Sequence, residues 1–342
     1  MKSLKTHSLN LTEKAYHEYP AWSYSMISKY AKGGFYSVAK IHQPVAPTPE
    51  MEFGSLLDSI LTRGKETFKE YSVSNYEVMP AEKKVLDYAL SAFPGVPFTS
   101  ITKEDWESVF TNTAYYSNRS YEKKYEQVAA CQEYYNVRYQ GKKVVSKQDW
   151  EDATTMAKTL VTDKYTSTIF GTKNTKDIEY IYQAQFLVDW TLPSGKTAKI
   201  KIMPDLLVVN HTEKTIRPVD LKSTSLPGGN FKDNFIGLRY DIQASEYTAV
   251  LQSVIDNDED YKEYTILPYF FAVISRMDMV PIVYEYDPRS ESQIDGLSFG
   301  KFHYKNWEQL LDEIITYEET QAKVPSYITT DGPNDLLAIL EQ

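Results

Sequence analysis

The chain has 342 residues, a formal net charge of −10, 42% hydrophobic residues, 25% charged residues and one cysteine. This composition is typical of a folded protein and excludes disordered, collagen-like and membrane-spanning classes, because no stretch reaches the roughly 18 consecutive apolar residues of a membrane helix. The first residues lack the apolar run of a signal peptide and a lone thiol cannot form an intrachain disulfide, so we expect a cytoplasmic protein with no membrane partner.

The first predicted elements are two short helices. One begins at a serine cap, Ser23 or Ser25, and ends at the Gly33-Gly34 pair. The other covers residues 51–64, MEFGSLLDSILTRG, whose apolar residues at helical spacing predict a buried face. Asp58 lies inside this apolar run, where an unpaired acid is uncommon.

Residues 80–165 are polar, rich in Tyr and Lys, and are interrupted by SAFPGVPFTS. This pattern predicts several amphipathic helices and carries no recognisable chemistry. We therefore interpret the chain as one domain over residues 1–342. Its three segments are N-terminal helices in 1–65, a helical insertion in 66–175, and the catalytic core with a C-terminal helix in 176–342.

From Glu179 the pattern changes to that of strands, with EYIYQAQFLVDW, AKIKIMPDLLVV and IRPVDLKST separated by two turns. These strands predict an antiparallel meander. A Pro-Gly-Gly loop at 227–229 then precedes a helix of about 20 residues, followed by the apolar strands YTILPYFFAVI and PIVYEY and a last helix. The predicted fold class is a mixed α/β (α+β) domain with the core order α-β-β-β-α-β.

One predicted hairpin brings charged residues together. Asp205 and Asp220 are symmetric about the turn in residues 210–215, so a regular hairpin sets them opposite each other, with Cβ atoms roughly 5 Å apart. Side chains alternate along a strand, so Lys222 shares the face of Asp220. Two acids and an amine are therefore expected in one small volume.

This grouping suits phosphodiester hydrolysis with one or two Mg²⁺ or Mn²⁺ ions, because these ions prefer oxygen ligands and would relieve the repulsion of the two carboxylates. Lys222 could orient or deprotonate the attacking water, or neutralise charge on the phosphoryl oxygens. The alternative is a surface hairpin with a cross-strand salt bridge, and the hairpin alone leaves both interpretations open.

The spacing of several motifs resembles a known superfamily. Pro204-Asp205, followed by Asp220-Leu221-Lys222, resembles the PD-(D/E)XK nuclease motif, and the predicted order resembles that superfamily's restriction-endonuclease-like core. Gln243-Ala-Ser-Glu-Tyr247 resembles the Q-x-x-x-Y motif of RecB-type nucleases. Gly54-Ser-Leu-Leu-Asp58 resembles their G-x-x-x-H motif with Asp in the His position. With the serine-led helix at Ser23, these matches resemble the RecE-like exodeoxyribonucleases of phages and prophages.

The resemblance implies roles for individual residues. Asp58, Asp205, Asp220 and the Leu221 carbonyl would be metal ligands, and Lys222 would be the catalytic lysine. Glu179 is a candidate additional acid. The residues expected to support the site or contact DNA are Gln243, Tyr247, Arg239, Ser223 and Thr224. Each of these has a plainer alternative as a core, surface or strand-end residue.

The function expected from the resemblance is a metal-dependent DNA exonuclease that acts 5′ to 3′ on linear duplex ends during recombination in a bacterial or phage-infected cell. A single-strand annealing protein is the candidate protein partner, and the oligomeric state is left open. The alternatives are a structure-specific endonuclease on the same core and a catalytically inactive DNA- or protein-binding relative. The acidic net charge and Asp58 in the His position favour the inactive alternative.

Overall fold

The computed structural model describes residues 3–43, 45, 47–74, 78–171, 173–290, 293–299 and 301–320. Residues 321–342, which belong to the predicted core segment, lie outside the described residues. The chain forms two compact units, one from residues 1–50 and 159–342 and the other from residues 51–158. Within the described ranges, no helix has the length and apolarity needed to cross a membrane.

The described residues form helices and strands in alternating groups, which makes the chain a mixed α/β protein as predicted. The helices are α1 (Glu13–Glu18), α2 (Tyr24–Gly33), α3 (Pro49–Arg63), α4 (Pro80–Ala92), α5 (Lys103–Asn112), α6 (Tyr121–Ala130), α7 (Gln132–Tyr139), α8 (Lys147–Thr162), α9 (Phe231–Leu238), α10 (Tyr240–Asp256) and α11 (Trp307–Thr320). The strands are β1 (Tyr71–Ser74), β2 (Lys143–Ser146), β3 (Ile178–Tyr182), β4 (Phe186–Thr191), β5 (Thr197–Ile202), β6 (Leu206–Asn210), β7 (Thr215–Thr224), β8 (Thr265–Ile266), β9 (Tyr269–Ser275), β10 (Pro281–Tyr286), β11 (Gly296–Phe299) and β12 (Phe302–Lys305).

The main sheet of the first unit has the order β10-β9-β7-β6-β3, with the short β8 paired to β7. Strands β3, β6 and β7 are antiparallel neighbours, whereas β7 and β9 are parallel. A parallel pair needs a crossover connection, and α9 and α10 supply it. The core order α-β-β-β-α-β predicted from the sequence is therefore confirmed.

The first two strands of the predicted meander are each broken in the middle. Ile178 pairs with Asn210 and Phe186 with Ile202, so one register continues across the break. Pro204 lies in the interruption and has no N–H to donate to a ladder. Gln183, with a φ of 51°, turns the opposite chain, and its N–H donates to the carbonyl oxygen of Asp205 at 3.1 Å. The ribbon thus bends beside Asp205.

The predicted helix after the Pro-Gly-Gly loop is also broken. Arg239 adopts a left-handed conformation with φ 58° and ψ 48°, which ends α9 and starts α10. Helix α10 is buried on most of its circumference, including Gln243, Tyr247 and Val250. A helix buried in this way belongs to the core rather than to the surface.

The second unit contains most of α3, helices α4 to α7 and most of α8, which agrees with the helical pattern of its sequence. Its core is rich in aromatic side chains, with Trp106 and Tyr135 fully buried. The sequence pattern did not predict strands β1 and β2, which pair in parallel from Tyr71 with Lys143 to Ser74 with Ser146. Four-residue strands in polar sequence leave little periodicity to detect.

Candidate active site

The hairpin of β6 and β7 has the predicted register. Leu206 pairs with Val219 and Asn210 with Thr215, and continuing that register by one residue sets Asp205 opposite Asp220. Asp205 itself lies just before β6, at the bend of the ribbon. Its Oδ2 accepts a hydrogen bond of 2.7 Å from the Leu221 N–H. The side chain of Asp205 is thereby joined to the neighbouring strand next to Asp220.

Asp220 is the most buried acid of this hairpin, with a relative exposure of 2%. Its Oδ1 accepts a hydrogen bond of 2.5 Å from Gln243 Nε2 on α10. Its Oδ2 lies 2.7 Å from Lys222 Nζ but receives no directed hydrogen bond within the described residues. A buried carboxylate is stable only with charge compensation, which the ammonium provides.

Lys222 is held from three sides. Its ammonium contacts Asp220, donates to Gln243 Oε1 at 3.2 Å and lies 4.3 Å from the centroid of the Tyr240 ring. Burial alone lowers the pKa of Lys222, but the negative charge of Asp220, followed by Tyr240, Tyr24 and Asp205, raises it above its ordinary range. We call Asp205, Asp220, Lys222 and Gln243 the Asp220 cluster.

Tyr247 lies one turn after Gln243 and is buried in the core, where its ring centroid is 6.3 Å from that of Tyr269. Burial raises its pKa well above the ordinary value of a phenol, so the side chain is neutral. Tyr247 therefore supports α10 from within.

The predicted phosphate contact at Arg239 needs correction. Its side chain is buried, and its guanidinium donates to both carboxylate oxygens of Asp241 at 2.9 and 3.0 Å. A further bond of 2.8 Å reaches the carbonyl oxygen of Lys305. Because these partners occupy the guanidinium, Arg239 has a structural role at the helix break instead of facing a phosphate.

Ser223 and Thr224 are half-buried at the end of β7, directly after Lys222. The Thr224 hydroxyl accepts a hydrogen bond of 3.0 Å from the Leu226 N–H. This bond caps the strand end, which is the plainer of the two roles considered for Thr224. Ser223 and Thr224 both lie close to the Asp220 cluster in sequence, and their contact with DNA stays a prediction.

Glu179 is not part of the Asp220 cluster. It pairs with Val209, four residues from the level of Asp205, which at about 3.3 Å per residue is roughly 13 Å along the sheet. Its carboxylate accepts from the Ser3 hydroxyl and lies 3.5 Å from His211 Nε2. The Nδ1 of His211 is 3.0 Å from the Tyr264 hydroxyl.

We call Glu179, His211, Tyr264 and Ser3 the Glu179 cluster. Glu179 was a candidate because an acid at the start of the first meander strand lies in the same sheet as Asp205. The resemblance does not specify the register of the first strand. In the observed register, Glu179 and Asp205 are separated along the length of the sheet.

Asp58 lies in the second unit, on α3, and is half-buried. Its carbonyl oxygen accepts a hydrogen bond of 2.8 Å from the Thr62 hydroxyl, as in a regular helix with a threonine one turn on. Its expected role as a metal ligand stays a prediction.

Glu246 is a buried acid that sequence reasoning missed. It is fully buried on α10, and neither of its carboxyl oxygens makes a well-formed hydrogen bond within the described residues. Burial raises its pKa well above the usual range, and the nearby Tyr24 N–H lowers it only in part. The available signal was a glutamate inside the otherwise buried face of QASEYTAVL.

The Asp220 cluster offers oxygen atoms of the kind that Mg²⁺ and Mn²⁺ prefer. Asp220 Oδ2 is a buried anionic oxygen without a directed donor, and Asp205 adds a second carboxylate beside it. Across the described parts of the chain, no three His, Cys, Asp or Glu side chains are grouped closely enough to hold a metal ion. The fit therefore rests on the pair Asp205 and Asp220.

Comparison with known proteins adds one structural likeness. No protein-family model and no curated protein matches the sequence. Among solved structures, the chain is similar to the crystal structure named "Putative exonuclease" from Eubacterium rectale, with 12% identity, a TM-score of 0.47, and coverage of 92% of this chain and 89% of that chain. A likeness of this size does not assign an activity to the chain.

Proposed function

We propose that the chain is a metal-dependent nuclease that hydrolyses phosphodiester bonds in DNA at the Asp220 cluster. The observation that supports this most directly is the meeting of two carboxylates, an ammonium and a bridging amide at one point of the β6 and β7 ladder. A cross-strand salt bridge alone would need one acid and one base. The second carboxylate gives the cluster a surplus negative charge, which suits a divalent cation.

In this proposal, Asp205 and Asp220 hold the cation, with the Leu221 carbonyl as a further ligand by resemblance. When bound, Mg²⁺ or Mn²⁺ supplies Lewis acidity to water and to the phosphoryl oxygens. Gln243 fixes the orientation of the Asp220 carboxylate and the position of the Lys222 ammonium with its two hydrogen bonds. Lys222 presents its positive charge to the substrate phosphate, where negative charge builds up on the phosphoryl oxygens as water attacks.

The resemblance to RecE-like nucleases extends the proposal beyond the cluster. It adds Tyr247 as a support of the catalytic helix. It also favours exonucleolytic action, 5′ to 3′ on linear duplex ends, in recombination together with a single-strand annealing protein. Action on DNA in a bacterial or phage-infected cell would take place in the cytoplasm.

The decisive experiment uses linear duplex DNA labelled at the 5′ end or the 3′ end, incubated with Mn²⁺ or Mg²⁺ and with EDTA. We expect release of labelled mononucleotide from the 5′-labelled duplex at the earliest times, late release from the 3′-labelled duplex, and no release in EDTA. Equal release in EDTA would contradict the proposed chemistry. Early release from the 3′ end would indicate digestion from 3′ to 5′ and would leave the proposed metal-dependent hydrolysis unchanged.

Covalently closed circular DNA separates the exonuclease from a structure-specific endonuclease, because an exonuclease has no end at which to start. Cutting of the closed circle would favour the endonuclease. Intact circular and linear DNA with every metal tested would favour the inactive binding relative, the alternative supported by the net charge of −10.

A further inference from the structure

One segment of this acidic protein is free of acidic residues. From Tyr19 to Pro49 the sequence contains three lysines and no Asp or Glu, whereas the whole chain carries a net charge of −10. A cluster of positive charges within a chain of net negative charge creates a local positive potential that can attract an anionic ligand. Helix α2 and the turn of 3-10 helix after it form most of this segment.

The three lysines line one cavity. Its volume is about 490 Å³, and we call it the lysine cavity; its lining residues are Lys29, Lys32, Gly33, Ser37, Lys40, Gln43 and Val45. Besides the three ammonium groups, the lining offers the hydroxyl of Ser37 and the amide of Gln43. The ammonium groups and the Gln43 amide can donate hydrogen bonds to an anion, whereas the Ser37 hydroxyl donates to the Gly34 carbonyl oxygen at 2.7 Å. Tyr36, next to Ser37 in the chain, is 56% exposed and offers an aromatic face.

The charge of the lysine cavity is not neutralised by what surrounds Lys29 and Lys32. The Lys29 ammonium donates to the carbonyl oxygens of Ile41 at 3.3 Å and Gln43 at 2.8 Å, which position it without cancelling its charge. Within the described residues, neither Lys29 nor Lys32 forms an ion pair, so both charges are available to a ligand.

The acids of the neighbouring helix α11 already have partners. Glu313 accepts a hydrogen bond from the Tyr30 hydroxyl and pairs with Lys305, and Glu318 lies 2.7 Å from His42 Nε2.

Helix α2 connects the lysine cavity to the Asp220 cluster. At its first residue, the Tyr24 ring lies 6.4 Å from the Tyr240 ring, which covers Lys222. At its far end, Lys32 lines the lysine cavity. Eight residues of helix span about 12 Å, so Lys32 lies about that far along α2 from Tyr24.

We propose that the lysine cavity binds a backbone phosphate of the DNA strand, several nucleotides from the phosphodiester that is cleaved at the Asp220 cluster. This inference rests on the proposed nuclease function, because it uses the Asp220 cluster as the point where cleavage occurs. The ligand is a phosphate within a strand rather than free phosphate, because a strand passing the Asp220 cluster reaches the lysine cavity without a second binding event. Tyr36 would offer a stacking face for a base beside that phosphate.

The test measures DNA binding without cleavage, in an Asp220→Asn background. The variant is Lys32→Gln with Lys40→Gln, which keeps the anchored Lys29 in place. Its matched control is Lys214→Gln with Lys262→Gln, which removes the same charge near the opposite end of β7, where Lys214 and Lys262 pair with Glu263 and Glu259. Affinities are measured by fluorescence anisotropy across salt concentrations, on oligonucleotides from two to twelve nucleotides long.

We expect the cavity variant to bind the twelve-nucleotide strand more weakly and to reduce the salt slope of binding by about 0.7 to 0.9, the contribution of the one phosphate that the lysine cavity binds. The control should keep the slope of the parent. The dinucleotide, which is too short to reach the lysine cavity, should bind the cavity variant and its parent equally.

Two results would overturn the proposal: equal losses in the cavity variant and the control, or a loss that is the same for the dinucleotide and the long strand. The nuclease hypothesis is judged separately by cleavage of labelled DNA by the wild-type protein. Lysine-dependent, length-dependent binding without cleavage would reject the nuclease and keep the phosphate site. Cleavage of DNA by the wild-type protein, with unchanged binding by the cavity variant, would support the nuclease and reject the phosphate site.

Discussion

The two ends of the β6 strand carry polar clusters, and the clusters differ in the number of carboxylates that they bring together. In the Asp220 cluster, two carboxylates share one ammonium and one amide. In the Glu179 cluster, a single carboxylate receives the Ser3 hydroxyl and lies beside His211, which in turn meets Tyr264. The Glu179 cluster is satisfied by its own donors. Of the two, only the Asp220 cluster brings two carboxylates together, which is the feature that the proposed cation site requires.

The largest expected difference between the two clusters is in catalysis. Asp220→Asn removes one of the two charges on which a metal ion would depend, and we expect DNA cleavage to fall by about 10²- to 10³-fold or more. Glu179→Gln keeps its shape and removes the same charge from the other cluster, and cleavage should stay within about twofold of wild type. Rates come from release of label in Mn²⁺.

Circular dichroism of both variants controls for folding. Equal losses of cleavage in the two variants would break the comparison, because the chemistry would then not depend on the Asp220 cluster in particular.

An intermediate effect is expected at the residue that positions Asp220 and Lys222. Gln243→Leu keeps the volume and removes both hydrogen bonds, and we expect a loss of about 10- to 100-fold in activity or metal affinity, which is usual for groups that orient ligands. The Mn²⁺ concentration for half-maximal rate should rise, which a purely structural role would not require. The control is Gln252→Leu, which makes the same substitution elsewhere on α10. An unchanged Mn²⁺ dependence in Gln243→Leu would remove Gln243 from the cluster.

The smallest effect concerns stability at Glu246, whose carboxyl has neither an ion pair nor a well-formed hydrogen bond with any residue that the structure describes. Burial raises its pKa well above the ordinary value of about 4.5, so above about pH 4.5 the unfolded chain releases a proton that the folded chain keeps. The stability that the protonated form contributes is present below that pH and is lost as pH rises, by up to about 1.4 kcal/mol per pH unit within the window.

Glu246→Gln removes this titration and keeps the shape. We expect its melting temperature to exceed that of wild type by an amount that grows from pH 5 to pH 8, measured by thermal unfolding. A constant difference across this range would show that Glu246 does not take up a proton on folding.

Much of the fold could be predicted from periodicity. The register of Asp205 and Asp220 followed from symmetry about one turn, because a two-stranded ladder leaves only one register once the turn is placed. The core order followed from the change between helical and strand spacing. Lys222 and Gln243 belonged to the same site by resemblance, and the structure brings both onto Asp220.

The remaining features depend on long-range partners that local patterns do not contain. Arg239 breaks a helix whose spacing is regular, because Asp241 and Lys305 bind its guanidinium in the core. Glu179 is distant from Asp205 because of the register of the first strand, which its own residues do not fix. Glu246 was missed because it lies between Gln243 and Tyr247, the two residues that define the motif.

The bond between the Leu221 N–H and Asp205 has an evolutionary consequence. The Asp205 carboxylate accepts a backbone hydrogen bond as a strand carbonyl would, so the same side chain serves both the fold and the proposed chemistry. An apolar replacement would leave a backbone donor unsatisfied at the bend, which costs about 1 to 3 kcal/mol where the donor is buried. A descendant that had abandoned catalysis would therefore still be under selection for an acceptor at position 205, with asparagine as the nearest substitute. Persistence of a polar residue at position 205 would therefore reflect folding and would not by itself indicate the proposed activity.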